Sequence, residues 1–535
     1  MSKSQPYTVA CAGGLVTASN AIDLLKTPGV ATELRNFEVS TKGGYRRING
    51  FTKFGGNSAV QPTGGSTIIL GTIPYADGVV VCAGTSIYFS QTGTSWLEIN
   101  RASVASSGDN HTAFTGRSVL TRTNQAQCQF ALFESATSNY GTLIISDGVN
   151  KPYAFRMEGT GSLTSRTFFG EEITVTGTKG VEYITVHDKH LIAAGVEDNL
   201  NTVFFSGTLD PTDFTSTGSG SIALEDQIKG IKSFRNELFI FCENSIFKLQ
   251  NINNSNTIAV IPVTKNVGCL SGHSIQEIAG DLIFLAPDGL RTVAGTARIG
   301  DVELGTVSSN IQNIVSDLAE SVNIFTINSV VLREKSQYRL FYTNIGADDS
   351  TQRGIIGTLR PNGFEWSETR GLEVTAIGSG FDSSGIEQYY HGDTNGNVYL
   401  HDSGADFNGT NILARYTTPN YDYGDLGTLK TLHYLRVSMA TEGIVEPDVQ
   451  IKFDFNSSDV PQPTDLFDLG IINPPSLFGE AVFNTNKFAG QNNPMIRVPL
   501  QGSGTSNNFT VISNDTKPSY TVNGLYVDFI PSGRR

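Results

Sequence analysis

The chain has 535 residues, of which 16% are charged and 39% hydrophobic, and its formal net charge is -14. That length exceeds the size at which one hydrophobic core stops growing, so either two domains or one large repeat architecture is expected. The acidic balance argues against a protein that grips nucleic acid by neutralising phosphates, since basic residues gather only in pairs such as Arg46-Arg47 and Arg534-Arg535.

From the N-terminus, the segment MSKSQPYTVACAGGLVTASNAIDLL holds one Lys and no continuous apolar run. No stretch of about 18 apolar residues follows anywhere, so a soluble chain made in a cytoplasm without a cleaved signal is expected. Residues 1–65 read as an N-terminal arm and linker able to join a platform, with Gly55 to Ser66 as the linker because of its glycine pairs and Pro62. Similar hairpins then recur at Gly78 to Ile99, Tyr140 to Phe155, Tyr183 to Ser206, Ile231 to Leu249, Ile275 to Val293, Val330 to Thr358 and Gln388 to Asp402. Each is a run of β-branched or aromatic residues, a polar turn, and a second run. Their spacing clusters at roughly 45 to 60 residues, the range of propeller blades with insertions. Each sheet is apolar on both faces and hides them only against a neighbour, which radial stacking achieves.

Helical spacing occurs once convincingly, with Ile311, Ile314, Val315, Leu318 and Val322 behind a capping Ser309. After about Gly404 the blade pattern stops. Thr410 to Phe455 carries longer alternating strands suited to a sandwich, Asn456 to Pro494 reads as a long excursion, and strands are expected at Met495 to Leu500, Phe509 to Ser513 and Gly524 to Ile530. The fold class is therefore all-β, a β-propeller of about six or seven blades over residues 66–404 with a C-terminal β-sandwich platform over 405–535.

Residues with chemistry are scattered. Cys11, Cys82, Cys128, Cys242 and Cys269 form no CxxC pair and read as reduced, buried thiols. None of His111, His187, His190, His273, His391, His401 and His433 sits in a metal-binding spacing, and His187 with His190 reads as a solvated hairpin turn. Thr215 to Gly220 lacks the Lys and helix start of a phosphate loop. Asp393-Thr394-Asn395-Gly396-Asn397 looks like half of a calcium loop but lacks the closing Glu, with Asp402 and Asp406 as the nearest acids, so an Asn-Gly turn is expected. Ser90 to Trp96 is similar to the Asp box of sialidase blades, without its Asp, one residue of its spacing, or a repeat. No catalytic, cofactor-binding or metal-binding residue is assigned, and the expectation is that the chain is not an enzyme. Trp96, Trp366, Tyr389 and Tyr390 are candidate sugar-stacking aromatics for an alternative reading, a propeller that binds host glycan or receptor; a sialidase-like glycoside hydrolase ranks below it.

Leu34-Arg35-Asn36-Phe37-Glu38-Val39 followed by Gly43-Gly44-Tyr45-Arg46-Arg47-Ile48-Asn49-Gly50-Phe51 resembles a signature of tail nozzle, or packaged-DNA stabilisation, proteins of short-tailed bacteriophages. The resemblance continues through Val203 to Ser206, Asp210-Pro211-Thr212-Asp213-Phe214, Ile228 to Leu249, Gly268 to Ser271, Asp288-Gly289-Leu290 and the closing Gly533-Arg534-Arg535. It implies a structural virion protein, synthesised in the host cytoplasm, that forms a homo-oligomeric ring of six copies below the portal and adaptor. Tail fibre or tailspike proteins would be its neighbours. Viral double-stranded DNA would be retained in the channel and passed at ejection without sequence-specific binding, which an acidic wall suits.

Overall fold

A computed structural model describes residues 4–534 apart from 64, 66, 100–125, 135–139, 163–165, 178, 255, 295–305, 323–325, 344–351, 383, 459–460, 471 and 473–494. His111 and most of the Asn456 to Pro494 excursion lie outside the described residues.

The chain is all-β, with six self-contained blades arranged as a propeller. Blade 1 runs Ile69–Tyr75, Gly78–Ala83, Ser86–Ser90, Leu97–Glu98, and blade 2 Gln129–Phe133, Thr142–Ser146, Tyr153–Glu158, Thr167–Glu172. Blade 3 is Val181–His187, His190–Val196, Thr202–Phe205, Gly220–Ala223, and blade 4 is Ile228–Phe234, Glu237–Cys242, Ile246–Gln250, Ala259–Thr264. Among the described residues blade 5 has three strands, Gln276–Ile278, Asp281–Ala286 and Gly289–Thr292. Blade 6 pairs Ala376–Phe381, Glu387–Gly392 and Val398–His401 with Phe51–Lys53 from the N-terminal arm. The turns suit the strands' twist: Asp188 and Lys189 both take positive φ, 47° and 67°, between His187 and its partner His190. Blades 6 and 1 approach so closely that a Cβ at Gly378 would lie 1.9 Å from Thr72 O, and one at Gly392 2.2 Å from Ile69 Cβ.

Between blades 5 and 6 a nine-stranded sheet enters the ring. Thr326–Leu332, Gln337–Thr343, Arg353–Arg360 and Gly363–Arg370 repeat the blade meander, but the sheet then continues through Glu33–Arg35, Ile412–Thr417, Asn507–Asp515, Asp448–Phe453 and Phe467–Asp468. The hairpin read from Val330 to Thr358 therefore belongs to a sheet shared with the platform. A seven-stranded sheet faces it, built on Thr428–Thr441 and Tyr520–Arg534, with Gln5–Ala10 and the hairpin Phe37–Val39/Tyr45–Arg47 added from the N-terminus. Sheet pairing thus departs from the linear division at 65/66 and 404/405. Arm residues complete both the last blade and the platform, because each half offers an open strand edge whose backbone groups need partners.

The largest apolar core fills the platform, around Trp366, Tyr416, Val437 and Val511, and smaller clusters lie between blades. Among the described residues the longest helix is Gln312–Glu320, preceded by a 3-10 turn Ser309–Ile311, and its Val315 and Leu318 are buried in the platform core. The expected serine cap is corrected. No side chain caps this helix, and the neighbouring Ser308 is fully buried, with its Oγ accepting from Leu290 N at 3.0 Å in blade 5.

Candidate functional site

The inner strands of all six blades and of the shared sheet surround a cavity of about 260 Å³ on the propeller axis. Hydrogen bonds across its wall tie neighbouring strands: Gln276 Nε2 donates to Ser329 O at 3.0 Å, Ser329 Oγ to His273 O at 2.6 Å, Asn328 Nδ2 to Thr375 O at 2.8 Å and Thr72 Oγ1 to Tyr390 O at 2.8 Å. Gln129, Thr185, Lys232 and His273 also line it, and no Asp or Glu does among the described residues. Burial pushes Lys232 below the usual lysine value, reinforced by Arg333 and opposed by Glu277. Burial alone lowers His273 to about 4.

A second constellation joins propeller to platform. Glu38, opposite Arg46 in the N-terminal hairpin, accepts from Arg46 Nη1 at 2.8 Å, Lys335 Nζ at 3.0 Å, Gln337 Nε2 at 3.1 Å and Arg339 Nη2 at 2.9 Å. Asp402, just past the third strand of blade 6, takes Lys335 at 2.7 Å and Arg339 at 3.0 Å. Arg46 reaches Glu442 in the platform, and Arg339 Nη1 lies 3.1 Å from His401 Nε2, whose Nδ1 is 3.3 Å from His391 Nδ1. Burial opposes both carboxylates' ionisation, yet Lys335 and Arg339 hold Glu38 and Asp402 below the ordinary range. Burial keeps His391 neutral, lowered to about 3, and with help from His391, Arg339 and Lys335 holds His401 well below its usual value. Three of these residues, Glu38, Arg46 and Asp402, were already singled out in motifs whose charges carried no assigned role. Arg339 and Lys232 lie in ordinary strand patterns and Lys335 ends the 3-10 turn Arg333–Lys335, and no local signal marks them.

The structure disperses the sequence candidates. Trp366 is fully buried and donates Nε1 to Val307 O at 2.8 Å, while Trp96 donates to Val60 O at 2.9 Å and meets Phe54 edge-on. Tyr390 packs against Phe54, and Tyr389 OH donates to Glu387 Oε2 at 2.8 Å, so the four aromatics form no common face. Phe54, just before the segment read as a linker, and Val60, within it, thus hold blade 1 to blade 6. The solvated-turn reading of His187 and His190 is corrected: both are buried, His187 Nδ1 at 2.9 Å from Ser233 Oγ of blade 4, and His190 Nε2 at 2.8 Å from Asn253 Oδ1. The adjacent blade covers what looks in sequence like a hairpin tip. Asp393 spends its carboxylate on the turn itself, accepting from Asn395 N, Asn397 N, Asn397 Nδ2 and Tyr399 OH. Ser90 Oγ accepts from Gly93 N at 2.9 Å, the turn-holding role an Asp box gives its Asp. Asp213 similarly braces Thr215 and Ser216 in the small-residue loop. All five cysteines are buried thiols outside any disulfide, and burial pushes Cys11, Cys242 and Cys269 up to about 12.

A groove of about 440 Å³ opens between blades 2 and 3, lined by Glu134, Arg156, Phe169, Glu171, Leu209 and Asp210 among others. Arg156 lies over the Phe169 ring, 4.5 Å from its centroid, and pairs with Glu158 at 3.2 Å.

No known family profile matches the chain, and no curated protein matches it. Solved structures similar to it include the extracellular domain of the putative hybrid two-component system BT4673 from B. thetaiotaomicron, with 9% identity and TM-score 0.36 over 66% of this chain and 39% of that one. They also include an exo-beta-1,3-galactanase from Phanerochaete chrysosporium (10% identity, TM-score 0.27, 90% of this chain and 100% of that one). A glycoside hydrolase family 43 arabinoxylan arabinofuranohydrolase from Bacillus subtilis has 11% identity and TM-score 0.27 over 90% of this chain and 99% of that one. The presence of glycoside hydrolases here corrects the expectation that the chain is not an enzyme, because the want of a familiar motif does not exclude catalysis on a propeller. At such TM-scores no substrate or mechanism transfers.

Proposed function

We propose that this propeller protein is a ring-forming structural subunit of a short-tailed bacteriophage tail, a nozzle below the portal and adaptor that retains packaged DNA and passes it at ejection. The observation that carries the reading is the joint. A nine-stranded sheet continuous between propeller and platform, and a buried ionic network beside it, suit a part that transmits load without a hinge. The residues of the joint's hairpin are the ones that resemble the nozzle signature, and the net charge of -14 suits a wall past which DNA slides. Electron microscopy of the full chain, alone and in particles, tests this. A closed hollow ring with cyclic symmetry is expected, whereas a dispersed monomer in both settings rejects the reading.

The groove between blades 2 and 3 favours a second reading, a tail propeller that binds host glycan. Carboxylates and a guanidinium beside an aromatic ring supply the mixed polar and apolar lining of a sugar cleft. Saturable binding on a glycan array, weakened by Arg156→Ala, would support it; binding that Arg156→Ala leaves intact places the glycan elsewhere and rejects this groove.

A further inference from the structure

A cation without a close counter-charge stands at the axis of an acidic protein. In the strand Ile228–Phe234 alternate residues face opposite blades: Ile231 packs with blade 3 and Ser233 bonds His187 there, while Phe234 packs with blade 5. Lys232, on the same side as Phe234, lines the axial cavity and makes no hydrogen bond or ion pair with any described residue. The charged groups that act on it are Glu277, which is exposed and outside the cavity lining, and Arg333, which repels it. The wall offers polar groups from Gln129, Thr185 and His273, with no carboxylate among its described residues. Lys232 is half-buried, and an ammonium partly withdrawn from water with no carboxylate beside it in the lining favours an anion in the cavity.

We propose that the axial cavity binds a small oxyanion, a phosphate or a carboxylate group, with Lys232 as its counter-charge and His273 as a neighbouring hydrogen-bond donor. At about 260 Å³ the space admits such a group with accompanying water. An anion seated beside both basic groups favours their protonated forms, against the lowering that burial imposes on each.

Calorimetric titration of the full chain with inorganic phosphate and, separately, acetate tests the site. Saturable binding with proton uptake is expected for at least one, and the tighter of the two identifies the ligand's acidic group as phosphate or carboxylate. Lys232→Met should weaken it at least about tenfold, whereas Lys232→Arg, which keeps the charge, should stay within about threefold. No saturable heat with either anion, or an affinity that Lys232→Met leaves unchanged, overturns the proposal. If Lys232→Met does not fold, the His273 imidazole resonances of the unaltered protein decide: a saturable shift on adding either anion supports the site, and unmoved resonances with both reject it.

Discussion

The interfaces between blades and the joint between propeller and platform are held by opposite means. Between blades 2 and 3 the buried side chains are Ile144, Val181, Leu191, Ala193 and their neighbours, whose attraction is non-directional and follows area. At the joint the groups are the buried Glu38 and Arg339 and the half-buried Asp402, which hold one another only in one geometry. Apolar packing stacks any blade on any other, but it does not specify how a whole propeller is oriented on a sandwich. The ionic joint supplies that specification at the cost of tolerating no lost partner.

Acid should separate the two kinds of interface most strongly. His391 is held neutral at about 3 while the unfolded histidine titrates near 6.5, so the unfolded state takes up its proton first. The stabilisation is therefore complete above about pH 6.5 and is lost as pH falls, by roughly 4–5 kcal/mol when pH 3 is reached. Glu38 and Asp402 act with the same sign, since their lowered values make their contribution present above the ordinary carboxylate range and lost as pH falls through the lowered one. Urea midpoints measured from pH 7 to pH 3 should fall steeply, whereas a flat profile would show that the joint contributes nothing.

Glu38→Gln should cost about 3–5 kcal/mol, because Arg46, Lys335 and Arg339 lose a shared buried anion. Calorimetry of this variant should show propeller and platform melting apart. Leu191→Ala, in the blade 2/3 core, should cost about 3 kcal/mol and lower the melting temperature without splitting the transition. Ser90→Ala, which removes the buried acceptor for Thr92 N and Gly93 N in a single turn, should cost about 1 kcal/mol in chemical denaturation.

The blades were legible because their signals are local. Alternation in Gly78 to Phe89 or Ile231 to Leu249, and turn residues such as Asn-Gly, define hairpins without reference to anything distant. What was not legible depends on partners far along the chain. Val330 to Thr358 reads like any other hairpin, and only Glu33–Arg35, pairing alongside Gly363–Arg370, makes its sheet part of the platform. Phe51–Lys53 is too short to announce that it closes blade 6. The sites were harder still. Lys232 sits in Ile-Lys-Gly-Ile-Lys-Ser-Phe, where the polar positions look solvent-facing and only the closed ring turns one of them toward an axis. Glu38 and Arg46 stand in the N-terminal motif, but their pairing across the hairpin and the contacts of Glu38 with Lys335 and Arg339 beside Asp402 depend on residues that no spacing links to them.

Scanning calorimetry of the full chain at neutral pH tests most directly whether propeller and platform are one body. The shared sheet and the ionic joint predict a single transition in which both unfold together. Two well-separated transitions in the unaltered protein, one assignable to each half, would contradict that account.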